Sequence, residues 1–254
     1  MRKVIVAIGG GEIRTQGTAA IDQEIVRVSR KRHPRLLFIP TASSDSERYW
    51  KHVEHYFGRV LKCRMDVLYL IRERPSRNQV RERILRADII YVGGGNTLQM
   101  MRVWRRRGVD RLLRLAYQRG TVLSGISAGA ICWFDAGHSD SMFFYQRHNW
   151  KYIKVKGLGL VSGILCPHYN SRTRGVPRRK AFRDMIGGGS GIGIALDNNC
   201  AIEFVDDKFR VLTSKRLARA YTLRQSQRRV AAERIRQADR LAPIGSPVDR
   251  GRLR

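Results

Sequence analysis

A doubly wound α/β fold, with a mostly parallel sheet and helices on both faces, is what this 254-residue chain predicts. Three observations carry the prediction. Short β-branched and apolar runs alternate with stretches of helical period. The runs are continuous rather than alternating, as strands covered on both faces require. Glycine clusters close several of them.

Residues 3–8 form the first strand and end in Gly9-Gly10-Gly11. Residues 19–32 predict a helix, with Ile21, Ile25 and Val28 near one face. Residues 35–39 are a second strand, stopped by Pro40; 49–57 are helical and 65–70 a third strand. A short helix at 79–85 precedes a fourth strand, 87–92, broken by Gly93-Gly94-Gly95. Two helices, 98–106 and 109–118, lead to a fifth strand at 121–124 and the turn at Gly125. In such sheets ligands gather beyond the carboxyl ends of the strands. The glycine turns at 9–11, 93–95 and 125 all fall on that rim.

The second half is less regular. Residues 157–161, 164–166, 191–196, 200–205 and 209–212 read as further strands, with Asp206-Asp207 as a hairpin turn. Residues 1–213 are therefore expected to be the functional domain. Residues 214–254 read as a basic extension, with helical spacing over 223–241 and a loose tail from Pro243.

Composition sets the outer bounds. Hydrophobic residues make up 43% of the chain, enough for a sizeable core. No apolar run is long enough for a membrane span or a signal-peptide core. The four cysteines contain no C-x-x-C pair, which predicts reduced thiols in a cytoplasmic protein and no zinc site. The formal charge is +29, from ten Lys and forty Arg against 21 acids. These cations are spread over nearly every segment, which favours a solvated, Arg-biased surface. Binding of nucleic acid or another polyanion is the rival reading.

The chemistry centres on Gly125-Ile-Ser127-Ala-Gly129, a G-x-S-x-G turn after a predicted strand. A serine there is lifted clear of the sheet, and flanking glycines remove side chains that would clash. The backbone N–H groups after it face a developing oxyanion. Gly93-Gly94-Gly95-Asn96 lacks the Gly-Lys-Ser/Thr of a phosphate loop, and the chain has no G-x-G-x-x-G, so no nucleotide cofactor is expected. The glycine turn is better read as the second wall of an oxyanion hole, with the Gly95 N–H opposite that of Ala128. Among six histidines, His168 stands at a predicted strand end, after Cys166-Pro167, and is the expected general base. His52 and His55 share a helix face without a third metal ligand, so no metal is expected. The third member of a triad should be a carboxylate. Asp140 and Asp135 both lie between the serine and the histidine.

Val92-Gly-Gly-Gly-Asn-Thr97, Gly125-Ile-Ser-Ala-Gly-Ala130, Ser139-Asp-Ser-Met142, Cys166-Pro-His-Tyr169 and Gly193-Ile-Ala-Leu-Asp197, in this order, resemble the dipeptidase E (α-aspartyl dipeptidase) family, to which cyanophycinases are related. The resemblance spans roughly residues 1–213. It implies a flavodoxin-like sheet akin to class I glutamine amidotransferases, with serine replacing cysteine at the elbow. It also implies a metal-free serine peptidase acting on dipeptides with N-terminal aspartate. Carried across, Ser127 is the nucleophile, His168 the base and Asp140 its partner, with Gly95 and Ala128 as the oxyanion hole. Asn96 and an arginine after His168, Arg178 or Arg179, are the expected substrate contacts. Residues 143–156 form a candidate lid. A cyanophycinase-like isopeptidase, or a polyanion-binding module on a hydrolase scaffold, are the alternatives.

Overall fold

Val-Ile-Val-Ala-Ile is buried along its whole length because both faces of its strand are covered. The computed structural model that shows this describes residues 1–189, 191–226, 229–236 and 240–243. The elements of the first half are β1 (Val4–Ile8), α1 (Ala19–Val28), β2 (Arg35–Ile39), α2 (Glu47–Val53), β3 (Arg64–Val67), α3 (Arg77–Arg86), β4 (Ile89–Val92), α4 (Thr97–Arg107), α5 (Val109–Gln118), β5 (Val122–Ile126) and α6 (Ala128–Ile131). There follow β6 (Phe134–Ser139), β7 (Ile153–Lys156), β8 (Val161–Cys166), β9 (Arg172–Thr173), β10 (Val176–Pro177), α7 (Arg178–Gly187), β11 (Gly193–Leu196), β12 (Cys200–Val205), β13 (Lys208–Thr213), β14 (Ala220–Ser226), β15 (Arg229–Ile235) and β16 (Ala242–Pro243).

An eight-stranded sheet runs β16-β13-β12-β1-β5-β4-β2-β3. Its five strands from the first half are mutually parallel, and β12, β13 and β16 extend it in antiparallel fashion. Alternate residues supply two cores. Ile5, Ala7, Leu37, Ile39 and Leu123 face Val80 and Ile84 of α3, Met100 and Trp104 of α4, and Leu113 of α5. Val4, Val6, Ile8, Leu36 and Phe38 face Ile21 and Ile25 of α1 and Val53 of α2. The register pairs Ile8 with Ile126 and Val92 with Gly125, so the turns after β1, β4 and β5 share one rim.

Six of the remaining strands form a second sheet, β15-β14-β11-β8-β6-β7, in which β8 is parallel to both β6 and β11, and β9 and β10 pair separately in antiparallel fashion. Phe182 and Ile186 of α7 pack on Cys166, Ala195 and Leu223 beneath it. Residues 197–199 pass from β11 of this sheet into β12 of the other, so a three-residue turn spans the seam between them.

Several expectations need correction. Most of 223–241 is not helical: β14 and β15 form a hairpin, and β14 pairs with β11. The apolar residues that suggested a helical stripe share one face of the hairpin instead: Leu223, buried, and Val230 and Ala232, half-buried, pack with Phe182 and Ile186 of α7. The hairpin is thus part of the second sheet rather than an appendage. Residues 157–160 are a connector whose N–H groups bond back to residues 132–135, and the strand begins at Val161. Helix α2 starts at Glu47, capped by Ser46, and runs into a π-helical turn, Glu54–Val60. Strand β3 ends at Val67, short of residue 70. The expected tail, 244–254, lies outside the described residues.

Candidate active site

Ser127 sits between β5 and α6 with φ 57° and ψ −111°, a conformation that non-glycine residues adopt at a steric cost. The crowding around it explains the flanking glycines. A Cβ on Gly125 would lie 2.3 Å from the Gly129 carbonyl oxygen, and one on Gly129 would lie 2.1 Å from that of Val92. The Ser127 N–H donates to the Ile8 carbonyl at 3.0 Å, tying the turn to the neighbouring strand.

His168, two residues beyond β8, comes from the second sheet. It too has positive φ, 52°, and its N–H donates to the Gly9 carbonyl at 2.9 Å. Its Nε2 lies 2.8 Å from Ser127 Oγ. Its Nδ1 lies 2.6 Å from Asn198 Oδ1, in the seam turn. An amide oxygen only accepts, so Nδ1 carries the proton and Nε2 is free to accept the serine proton. On its other side the Asn198 Nδ2 donates to Ser171 Oγ at 2.8 Å. Its own N–H donates to Asn170 Oδ1 at 3.0 Å. Gly10 forms the wall: a Cβ there would lie 2.1 Å from Asn198 Oδ1 and 2.3 Å from His168 Nδ1. Burial first, and the Arg178 guanidinium second, hold His168 below the usual histidine range, against the Asn198 hydrogen bond.

Asp140 does not meet His168. Its Oδ2 accepts from Arg178 Nη2 and, at 3.1 Å, from Thr173 Oγ1. Asp135 is exposed and accepts from the Gly163 N–H at 2.9 Å. Neither expected carboxylate orients the imidazole; the neutral Asn198 does. Sequence reasoning missed Asn198 because it sought a carboxylate between serine and histidine in chain order. The available signal was its place two residues after the apolar run 193–196, at another strand end.

The two arginines are separated by one step of α7. Arg178 is 4% exposed, its Nη1 buried without a hydrogen-bond partner, and it influences His168. Arg179 points outward over the rings of Tyr169 and Tyr221 and lies 4.0 Å from Asp197. Asn96 caps α4: its Oδ1 accepts from the Gln99 N–H at 3.1 Å.

Gly95 has φ 137°, and a Cβ there would lie 2.2 Å from the Ala42 carbonyl oxygen, so the turn requires glycine. Gly94 passes close to the serine, its Cβ position 3.3 Å from Ser127 Cβ. Ala128 opens α6, whose first N–H groups have no intrahelical acceptor. Helix α6 is a single turn, so any oxyanion stabilisation comes from individual N–H groups rather than a macrodipole. In the expected lid, Phe143 meets Trp150 edge-on, Trp150 meets Tyr152, and Tyr152 stacks on the buried His138. Among the described residues no group of three or more His, Cys, Asp or Glu is placed to hold a metal, and no helix is long and apolar enough to cross a membrane.

A serine at a strained strand-to-helix turn, with a histidine at hydrogen-bond distance on an α/β sheet, is the arrangement of a serine hydrolase. Residues 5–212 match the model of peptidase family S51, and the chain belongs to that family. It is 34% identical over 233 residues to an uncharacterized peptidase, YgaJ, of Bacillus subtilis, covering 91% of this chain and 96% of that one. Its fold is similar to that of a peptidase from an acI-B1 actinobacterium, with TM-score 0.73, 21% identity and coverage of 96% and 97%. A peptidase E protein from Listeria monocytogenes gives TM-score 0.64, 19% identity and coverage of 84% and 99%.

Proposed function

We propose that the enzyme hydrolyses small peptides, dipeptides with N-terminal aspartate foremost, through Ser127, His168 and Asn198. Ser127 Oγ attacks the scissile carbonyl as His168 Nε2 takes its proton. Asn198 keeps the imidazole in the tautomer that can do so. The N–H groups of Gly95 and Ala128 receive the oxyanion, and His168 returns the proton to the leaving amine. Water then repeats the sequence on the acyl-enzyme. The observation that carries this reading is the 2.8 Å contact between His168 Nε2 and a serine held at positive φ.

The preference for an acidic side chain rests on Arg178. It is buried and paired on one side with Asp140, and its Nη1 lacks an acceptor that a substrate carboxylate would supply. The test is hydrolysis of Asp-Leu, Glu-Leu, Ala-Leu and β-Asp-Arg by wild type and Arg178→Met. A charge-assisted hydrogen bond contributes about 1.5–3 kcal/mol, so kcat/KM on Asp-Leu falls roughly 10- to 150-fold in the variant. Turnover of Ala-Leu changes little. Equal loss on both substrates would remove Arg178 from specificity, and preferential cleavage of β-Asp-Arg would move the reading to a cyanophycinase-like isopeptidase.

A further inference from the structure

Six of the forty arginines gather in one place. A hollow of about 470 Å³ lies between the amino end of α3 and the elbow joining α4 to α5. Arg77, Arg81, Arg105, Arg106, Arg107 and Arg111 line it, together with the acid Asp110. We propose that this hollow binds a compact oligophosphate, a ligand carrying two or more adjacent phosphate groups.

Two of the six arginines build the hollow. Arg107 donates to the carbonyls of Leu70 at 2.7 Å and Pro75 at 2.5 Å, tying the elbow to the loop before α3. Arg105 donates to the Lys156 carbonyl at 2.7 Å. The side chains of Arg77, Arg81, Arg106 and Arg111 make no hydrogen bond or ion pair among the described residues. Some surface arginines find acids, as in Arg27 with Glu24, Arg72 with Glu47 and Arg86 with Glu82, while others, such as Arg48 and Arg59, stand apart from one another without one.

Helix stability does not explain the cluster. Cations in the last turn of α4 suit the negative end of that helix. The first turn of α3 holds no acid and begins with Arg77, where the positive helix end disfavours a cation. The gathered charges repel one another until an anion joins them.

Four free guanidinium forks around a half-open hollow suit several phosphate oxygens close together. A nucleic-acid strand would need an extended track with rings for the bases to stack on, and no aromatic side chain is among the lining residues. The hollow is distinct from the catalytic rim. Helix α4 starts at the Gly95-Asn96 turn and reaches the hollow at its other end, about 16 Å away at 1.5 Å per residue.

The test is calorimetric titration of sodium tripolyphosphate into the full chain at about 50 and about 200 mM salt. Wild type is compared with Arg77→Ala/Arg81→Ala/Arg106→Ala and with a charge-matched control, Arg32→Ala/Arg48→Ala/Arg59→Ala. Thermal melting and dipeptide hydrolysis report folding, and Arg106→Glu alone serves if the triple variant is unstable. The expected result is one saturable site that weakens with salt, at least about 10-fold weaker in the hollow variants and unchanged in the control. ATP binding as tightly as tripolyphosphate places recognition in the phosphates of a nucleotide, and tripolyphosphate alone binding points to inorganic polyphosphate; either supports the site. Absence of saturable binding, or equal weakening in hollow and control variants, would overturn it. So would an oligothymidylate that uses the same arginines and outcompetes tripolyphosphate.

Discussion

Replacing Asn198 with aspartate would place a carboxylate oxygen where the amide oxygen now sits, 2.6 Å from His168 Nδ1. The Nδ1–H still has its acceptor, and Ser171 can turn its hydroxyl to donate to the oxygen that replaces Nδ2. What changes is charge. Burial and Arg178 now depress the basicity of His168, and the neutral Asn198 opposes them only with a hydrogen bond. An opposite charge at this distance raises an imidazole pKa by about 1–3 units. The base acts only when neutral, so the acid limb of kcat/KM lies below the ordinary histidine range in wild type. In Asn198→Asp it moves up by roughly that amount, with the high-pH plateau within about tenfold of wild type. Asn198→Ala loses the contact and falls about 10- to 150-fold, the equivalent of 1.5–3 kcal/mol. The assay is the pH profile of Asp-Leu hydrolysis, with His168 titrated by NMR in the same variants. An acid limb that stays in place in Asn198→Asp, with undiminished activity in Asn198→Ala, would refute the role given to Asn198.

Two further substitutions probe the surroundings. Gly10→Ala puts a methyl group against His168 Nδ1 and Asn198 Oδ1, so activity should drop by about 10²-fold or more while the melting temperature holds; a fully active variant would show that the imidazole has room to move. Asp22 is fully buried, with Oδ1 unpartnered and its pKa raised by burial to about 7. Because the folded value exceeds the unfolded one, its contribution is complete in acid and lost as pH rises through about 7. Asp22→Asn should therefore gain on wild type between about pH 4 and about pH 8, by at most an order of 4 kcal/mol in unfolding free energy. Parallel stability curves for the two proteins would contradict this.

The parallel half of the fold was legible because strands covered on both faces must be continuous apolar runs, as 4–8, 36–39 and 89–92 are. The second sheet was not. Residues 220–226 and 229–235 pair as a half-exposed hairpin with Arg224 and Arg229 on one face and Arg234 on the other, and its sparse apolar residues fit a helical spacing as well as an alternating one. Ser127 and His168 could be read from glycine turns and a strand end, since local backbone shape leaves a mark in sequence. Asn198 carried only its place at a strand end, because its contact with His168 depends on a seam between two sheets. Of the six arginines of the hollow, only the run 105–107 stands together in sequence; Arg77, Arg81 and Arg111 join it through the packing of three helices.

Chemistry through Ser127 is the central claim, and turnover of Asp-Leu by Ser127→Ala tests it most directly. The account predicts a loss of at least about 10³-fold, with an unchanged melting temperature. Near-normal turnover by a folded Ser127→Ala protein would contradict it.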